Sequence, residues 1–260
     1  MVKFLYYIII CLFFINNLNA QSVSNDDQEL KGIIYNHEGI LTGIIHPYGW
    51  AVGYEKGRMK TYYKTKFWSI EFGEIRNNKE YKQRNEFNLP LVIGGSSSPK
   101  SFSYGKQNNF FITRLGFGEK RYLTDKATVK GVVIGYSWAA GPVLGFLKPY
   151  YIEQINRLTD PPTIIAIKYT GDNQSQFLDY ASIYGSSSLL KGVGETKLLP
   201  GAFARLSVHF DWGAFDEFIK SIDAGVMLDV FPKKVPIMVN QENKPYFLNL
   251  YLNLQLGKRW

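Results

Sequence analysis

The chain has little of what closes disulfides or holds metals. Its 260 residues include one cysteine, Cys11, and three histidines, His37, His46 and His209. Cys11 lies inside an N-terminal apolar run and follows Ile8-Ile9-Ile10, whereas a lipidated cysteine ends such a run after small residues. Once that run is removed no thiol remains, so disulfides and cysteine-ligated metals are excluded. The histidines have no metal-ligand spacing, and no cofactor is expected. Long apolar runs are also missing. Beyond the first 20 residues nothing approaches the roughly 20 apolar residues of a membrane-spanning helix, and mean hydropathy is −0.16. Helical periodicity is scarce, with at most a turn or two in 150–158 and 214–221. Acidic residues are outnumbered, 22 against 30 Lys and Arg, for a net charge of +8. That balance suits anionic envelope groups as well as nucleic acid. Export of the chain removes the nucleic-acid reading.

Residues 1–20 read as a cleavable secretory signal. Lys3 supplies the positive start, Phe4 to Ile15 the apolar run, and Asn16-Asn17-Leu18-Asn19-Ala20 a polar exit ending on a small residue. A short periplasmic segment, 21–31, should follow, and then a single barrel domain over 32–260.

Aromatic residues are abundant: 16% of the chain, including 18 Tyr and 18 Phe. Tyrosine has an apolar body and a polar tip, which suits a membrane–water interface. The clearest pattern lies at the far end. Leu248, Leu250, Leu252, Leu254 and Leu256 alternate with Phe247, Asn249, Tyr251, Asn253 and Gln255. A strand sends successive side chains to opposite faces, so one face here is all leucine. Lipid would cover such a face, and so would the core of a soluble sandwich. Similar alternation runs through 202–212 and 222–230. It is weaker in 50–55, 68–73, 111–118 and 131–138, the last of which should run until Gly141-Pro142 interrupts the register, and least distinct over 32–45. The export signal, the aromatic excess and segments of the about 9–11 residues a tilted spanning strand needs favour the membrane. The expected fold is all-β: an antiparallel transmembrane barrel of about eight strands with long extracellular loops. Ten strands are the alternative, with an extra pair in 148–200 such as Thr163 to Tyr169. Both termini should be periplasmic in the bacterial outer membrane, with 76–107 and 148–200 outside and the short connections near 123–128 and 213–217 inside.

A narrow barrel fills its interior with side chains. Parity turns Glu55, Glu71, Arg114, Arg205, His209, Asp223 and Asp229 into the lumen, and their mixed signs predict an ion-pair network that plugs it. Ser207, His209 and Asp211 share that face and raise the question of nucleophilic catalysis. Residues i and i+2 on a strand lie about 6–7 Å apart at Cβ, which does not favour the contact, and no catalytic residue is assigned. The Gly/Ser-rich stretch 94–106 lacks the spacing of a phosphate-binding loop and reads as a flexible outer loop. Leu147-Lys148-Pro149-Tyr150-Tyr151 reads as an interfacial strand end. Leu252, Leu254, Leu256 and Trp260 form an aromatic-ended assembly signal, from which Lys258 departs by standing at a position expected to be apolar.

Several short stretches resemble a family of outer-membrane β-barrel proteins common in Bacteroidota. They are Gly49-Trp50-Ala51-Val52-Gly53-Tyr54, Gly105-Lys106 with Asn108, Lys148-Pro149-Tyr150-Tyr151, Pro200-Gly201 and Gly257-Lys258-Arg259-Trp260. The resemblance spans most of the mature chain and implies a fold and a location without catalytic residues. The architecture is also similar to small OmpA-type barrels, an analogy that carries no function. The function expected is that of a non-enzymatic integral barrel with a structural or interaction role in the envelope. A passive pore or transport component is the alternative, and an envelope-lipid hydrolase a second one. Expected partners are outer-membrane lipid and lipopolysaccharide, the barrel-assembly machinery during biogenesis, and unidentified envelope proteins.

Overall fold

A computed structural model describes residues 35–85, 99–124, 131–214 and 216–260. The expected signal peptide, the segment 21–31 and the stretch 94–98 lie outside these residues. In chain order the strands are β1 (His37–His46), β2 (Gly49–Thr61), β3 (Lys64–Ile75), β4 (Lys82–Gln83), β5 (Phe102–Ser103), β6 (Asn108–Tyr122) and β7 (Val133–Pro149). They continue as β8 (Tyr151–Asn156), β9 (Thr163–Lys168), β10 (Ile183–Ser186), β11 (Lys197–Asp211), β12 (Phe218–Val230) and β13 (Tyr246–Arg259).

Eight of them close an antiparallel barrel in the order β1-β13-β12-β11-β7-β6-β3-β2. Closure joins the first strand to the last, with Leu41 opposite Leu256 and Ile45 opposite Leu252. No edge is left unpaired, which matters because hydrocarbon offers no partner to a free backbone amide or carbonyl. The two-residue turn Pro47-Tyr48 is closed by Gly49 at φ +148, where a Cβ would lie 1.9 Å from the Glu74 carbonyl oxygen. Only glycine fits that approach.

Alternation governs the walls. On β13, Leu248 to Leu256 are exposed outward at every second position, whereas Asn249, Tyr251, Asn253 and Gln255 are buried inside. The same outward face carries Val52, Ile70, Leu115, Leu206 and Val226 around the barrel. Trp212, Phe218 and Trp260 stand outward at the end where β1 begins and β13 ends, and Trp50 and Phe72 toward the other end. An apolar belt rimmed by aromatics, around a polar interior, is the inverse of a water-soluble fold and matches a bilayer-spanning barrel. Gly141-Pro142 does not break β7: odd residues face inward on both sides of it, and the pairing with β6 keeps one register. Proline lacks an amide hydrogen, so the ladder loses a donor locally while the pleat continues.

The connections are unequal. At the end where β1 begins and β13 ends they are short: 62–63, 123–132 and 212–217. At the opposite end 76–85, 99–107, 150–196 and 231–245 build a cap. There β10-β8-β9 form a three-stranded sheet and β4-β5 a two-stranded one. A core of Phe102, Ile152, Phe177 and Ile183 lies between them. Thr163–Lys168 is thus a strand, but it pairs with β8 in the cap and leaves the barrel at eight. Residues 151–156, read as a helical turn at most, are likewise a strand. Phe102 to Lys106 are packed into the cap rather than forming a flexible loop. Lys148 and Tyr150 are covered by it as well, with Tyr150 against the cap core, so they do not end the strand at an open interface. Finally, 231–245 folds over the mouth. Val235, Ile237 and Met238 join inward Phe110, Phe203 and Phe247 in one apolar cluster. Asn243 Oδ1 accepts from the Ile237 and Met238 amides and holds this segment in place.

Candidate functional site

Below the apolar mouth cluster, the lumen is crossed by ion pairs. Arg114 on β6 forks onto Asp229 on β12, with Nε and Nη2 donating to the two carboxylate oxygens at 2.7 and 2.8 Å. Arg205 on β11 donates to Glu71 on β3, and Arg114 Nη1 lies 3.7 Å from the same carboxylate. In both cases two strands stand between the partners in the sheet, so the side chains span the barrel. Arg114 also lies over the Phe203 ring at 5.9 Å. All four charged groups are buried. Each is satisfied by an opposite charge, the condition under which buried ions are tolerated.

Ile44, Ala51, Met227 and Tyr251 form a small apolar cluster in the lumen beside them. A second polar layer follows. His209 Nδ1 lies 2.5 Å from Asp223 Oδ1, and Gln255 Nε2 donates to Asp223 Oδ2 at 2.7 Å. Lys120 pairs with Glu55 and lies 3.7 Å from Glu38. At the end where β1 begins and β13 ends, Asp211 accepts from Tyr122 Oη at 2.7 Å and from Arg259 Nη2 at 2.9 Å. Arg259 Nη1 also donates to the Gly213 carbonyl oxygen at 2.6 Å.

The seven residues assigned to the lumen by parity are therefore all buried, in two separate layers. Glu71, Arg114, Arg205 and Asp229 meet near the mouth; Glu55, His209 and Asp223 lie deeper. Sequence reasoning missed Glu38, Lys120, Tyr122 and Arg259. Their parity was readable: Lys120 and Tyr122 continue the series Arg114, Gly116, Gly118, and Arg259 continues Asn253, Gln255, Gly257. Ser207 and His209 do not act together. Ser207 Oγ turns to the Ser137 carbonyl oxygen at 3.4 Å, and His209 is held by Asp223. Among the described residues no three His, Cys, Asp or Glu side chains gather as metal ligands. Leu252, Leu254, Leu256 and Trp260 face outward together, and Trp260 stacks on His37 with ring centroids 6.2 Å apart.

A second concavity of about 890 Å³ lies outside the barrel wall, between β3, β6 and the cap. Phe111 and Leu189 line its apolar side. Glu74, Arg76, Glu80, Lys82, Arg84, Lys100 and Lys106 line the other, with serines between them. Arg76 binds Glu74 through Nε at 2.9 Å and Nη2 at 2.5 Å, and this bond raises the guanidinium pKa further. Lys106 Nζ donates to Glu80 at 2.6 Å. Tyr150 Oη accepts from the Ser103 amide at 3.2 Å, and burial pushes its pKa up.

No protein-family model matches the chain, and no curated protein does. Solved structures do resemble it. The N-terminal β-barrel domain of Pseudomonas aeruginosa OprF matches over 85% of this chain and 97% of that one, at 9% identity and a TM-score of 0.33. Ail, the attachment invasion locus protein of Yersinia pestis, in complex with the heparin analogue sucrose octasulfate, matches over 87% of this chain and 100% of that one, at 9% identity and a TM-score of 0.38. A further structure of Ail gives 7% identity and a TM-score of 0.35 over the same shares. At such distances the site's properties rest on this chain's own residues: a closed eight-stranded antiparallel barrel with an apolar exterior and an ion-paired interior.

Proposed function

We propose that the chain is an integral outer-membrane barrel that holds a closed lumen and acts through its cap and its lipid-facing wall, in a structural or interaction role. The observation that carries this reading is the sealing of the lumen. Arg114–Asp229 and Arg205–Glu71 cross it, and the cluster of Phe110, Val235, Ile237 and Phe247 lies above them. An ion moving through would have to displace buried ion pairs and then pass an apolar plug. The orientation follows the inequality of the connections, with the cap outside and both termini in the periplasm. The leucines before Trp260 would serve the barrel-assembly machinery as its recognition signal. Kinship with the Bacteroidota barrels belongs to the same proposal. It is supported by the position of the resembling stretches, which open β2 at Gly49 and end β13 at Arg259.

The test is planar-bilayer recording of the refolded full chain. The expected result is a protein that shifts in mobility on boiling, as folded barrels do, and shows no discrete openings. Stable stepwise conductance would overturn the closed-lumen reading.

A further inference from the structure

The cleft outside the wall has an uneven charge balance. Glu74 and Glu80 are taken up by Arg76 and Lys106, whereas Lys82, Arg84 and Lys100 are exposed and have no carboxylate in salt-bridge reach among the described residues. These three cations are carried on fixed backbone. Lys82 sits opposite Ser103 in the β4-β5 ladder. Asn85, next to Arg84, donates to the carbonyl oxygens of Ile183 at 2.8 Å and Tyr180 at 3.2 Å. Lys100 passes so close to β10 that a Cβ on Gly185 would lie 2.6 Å from its carbonyl oxygen.

The cleft also continues the lipid-facing surface. Phe111 forms part of its floor, faces outward from β6 and stacks on Phe72 with ring centroids 6.0 Å apart. Leu189, on the opposite lip, is largely exposed, as is Leu190 beside it. Cations above and apolar side chains below, at the rim of a bilayer-spanning wall, complement a molecule with an anionic head and hydrocarbon tails. Arginine and lysine side chains suit phosphate oxygens in particular.

We propose that this cleft seats the phosphate of an envelope-lipid headgroup on Lys82, Arg84 and Lys100, with the acyl chains running down the wall over Phe111 and Phe72. The proposal rests on the outer-membrane reading and adds a defined lipid site to it. Full-length protein would be refolded into phosphatidylcholine vesicles doped with bisphosphorylated lipid A, and retained lipid measured by native mass spectrometry. Wild type should keep lipid A in preference to its dephosphorylated form. The variant carrying Lys82→Gln, Arg84→Gln and Lys100→Gln, all exposed positions outside the barrel, should retain it about tenfold less or worse. Equal retention by variant and wild type, or of phosphorylated and dephosphorylated lipid, would overturn the site. So would complete displacement by inorganic phosphate at the same concentration as lipid A, which would indicate a free-anion site. Failure of the wild type to give a heat-shifted band would instead reject the membrane barrel itself, so the two ideas fail separately.

Discussion

Arg114 and Asp229 clasp each other across the barrel, from strands that are not neighbours, through two hydrogen bonds of 2.7 and 2.8 Å. A bidentate clasp of this kind fixes direction as well as distance. It ties β6 to β12, which share no backbone pairing. Removing one partner leaves the other charged and buried, which costs about 3–5 kcal/mol. Asp229→Ala should therefore lower the urea or thermal midpoint of the refolded barrel sharply. Replacing both, Arg114→Met with Asp229→Leu, removes the stranded charge and should recover most of the loss. If the single and double variants unfold together, the pair does not hold the lumen shut.

The exterior makes a depth-dependent prediction. Leu252 stands at the middle of β13, and Leu256 lies one turn of the pleat from its end. Both are exposed to the same extent as ordinary surface residues of a soluble protein, where a cation would be harmless. In a bilayer an arginine costs roughly 2–4 kcal/mol at the midplane and about 0–1 near the interface. Leu252→Arg should thus destabilise the barrel in vesicles much more than Leu256→Arg does. Equal, negligible effects would mean that water covers this face.

The barrel was legible in the sequence because a spanning strand must alternate over its whole length; Leu248 to Leu256 carry that rule without exception. Parity from Arg114 also leads to Lys120, but Gly116 and Gly118 thin the pattern, so the alternation reads clearly only as far as residue 118. The cap was not legible. Its strands have only six, six and four residues in one sheet and two each in the other. Thr163–Lys168 reads Thr-Ile-Ile-Ala-Ile-Lys, with no polar alternation to show a direction. Its place depends on tertiary contacts such as Phe102 against Ile152 and Ile183, which join positions far apart in the chain. The same holds for the cleft. Its three cations come from two separated stretches, 82–84 and 100, which the β4-β5 ladder, the Asn85 bonds to Tyr180 and Ile183, and the closeness of Gly185 to Lys100 bring together.

The cap carries a pH-dependent fastening. Lys168 Nζ donates to Glu195 Oε2, and Tyr151 Oη donates to Glu195 Oε1 at 2.8 Å, tying the turn before β11 to β8 and β9. The bond to Lys168, then that to Tyr151, holds the Glu195 carboxyl below its ordinary value, and Glu195 in turn holds Lys168 above its own. A depressed carboxyl contributes stability above its unfolded pKa, about 4.3, and loses it as pH falls through the folded value. A raised lysine contributes below about 10.4 and loses it as pH rises through its folded value. The fastening should be complete between those limits and release in acid. Amide protection over 187–196, taken relative to the intrinsic exchange rate at each pH, should fall below about pH 4 in wild type. In Glu195→Gln it should be low already at neutral pH and change little on acidification. Protection unaffected by acid in wild type would show that the pair does not hold this turn.

Trp260 separates assembly from stability. Its backbone closes the barrel seam, with its amide donating to the His37 carbonyl oxygen at 3.0 Å and its own carbonyl accepting from His37 at 2.9 Å. Neither bond uses the indole, which lies outward against the His37 ring and remains about half exposed. Trp260→Ala therefore keeps the seam and removes a side chain that contributes little to packing. If the indole is read by the assembly machinery, the variant should accumulate severalfold less in the outer membrane of cells. The same variant refolded in detergent should unfold within about 1 kcal/mol of wild type, as an exposed aromatic contact predicts. A barrel that reaches the membrane at normal levels, or one that is equally weakened in both settings, would assign Trp260 a packing role instead.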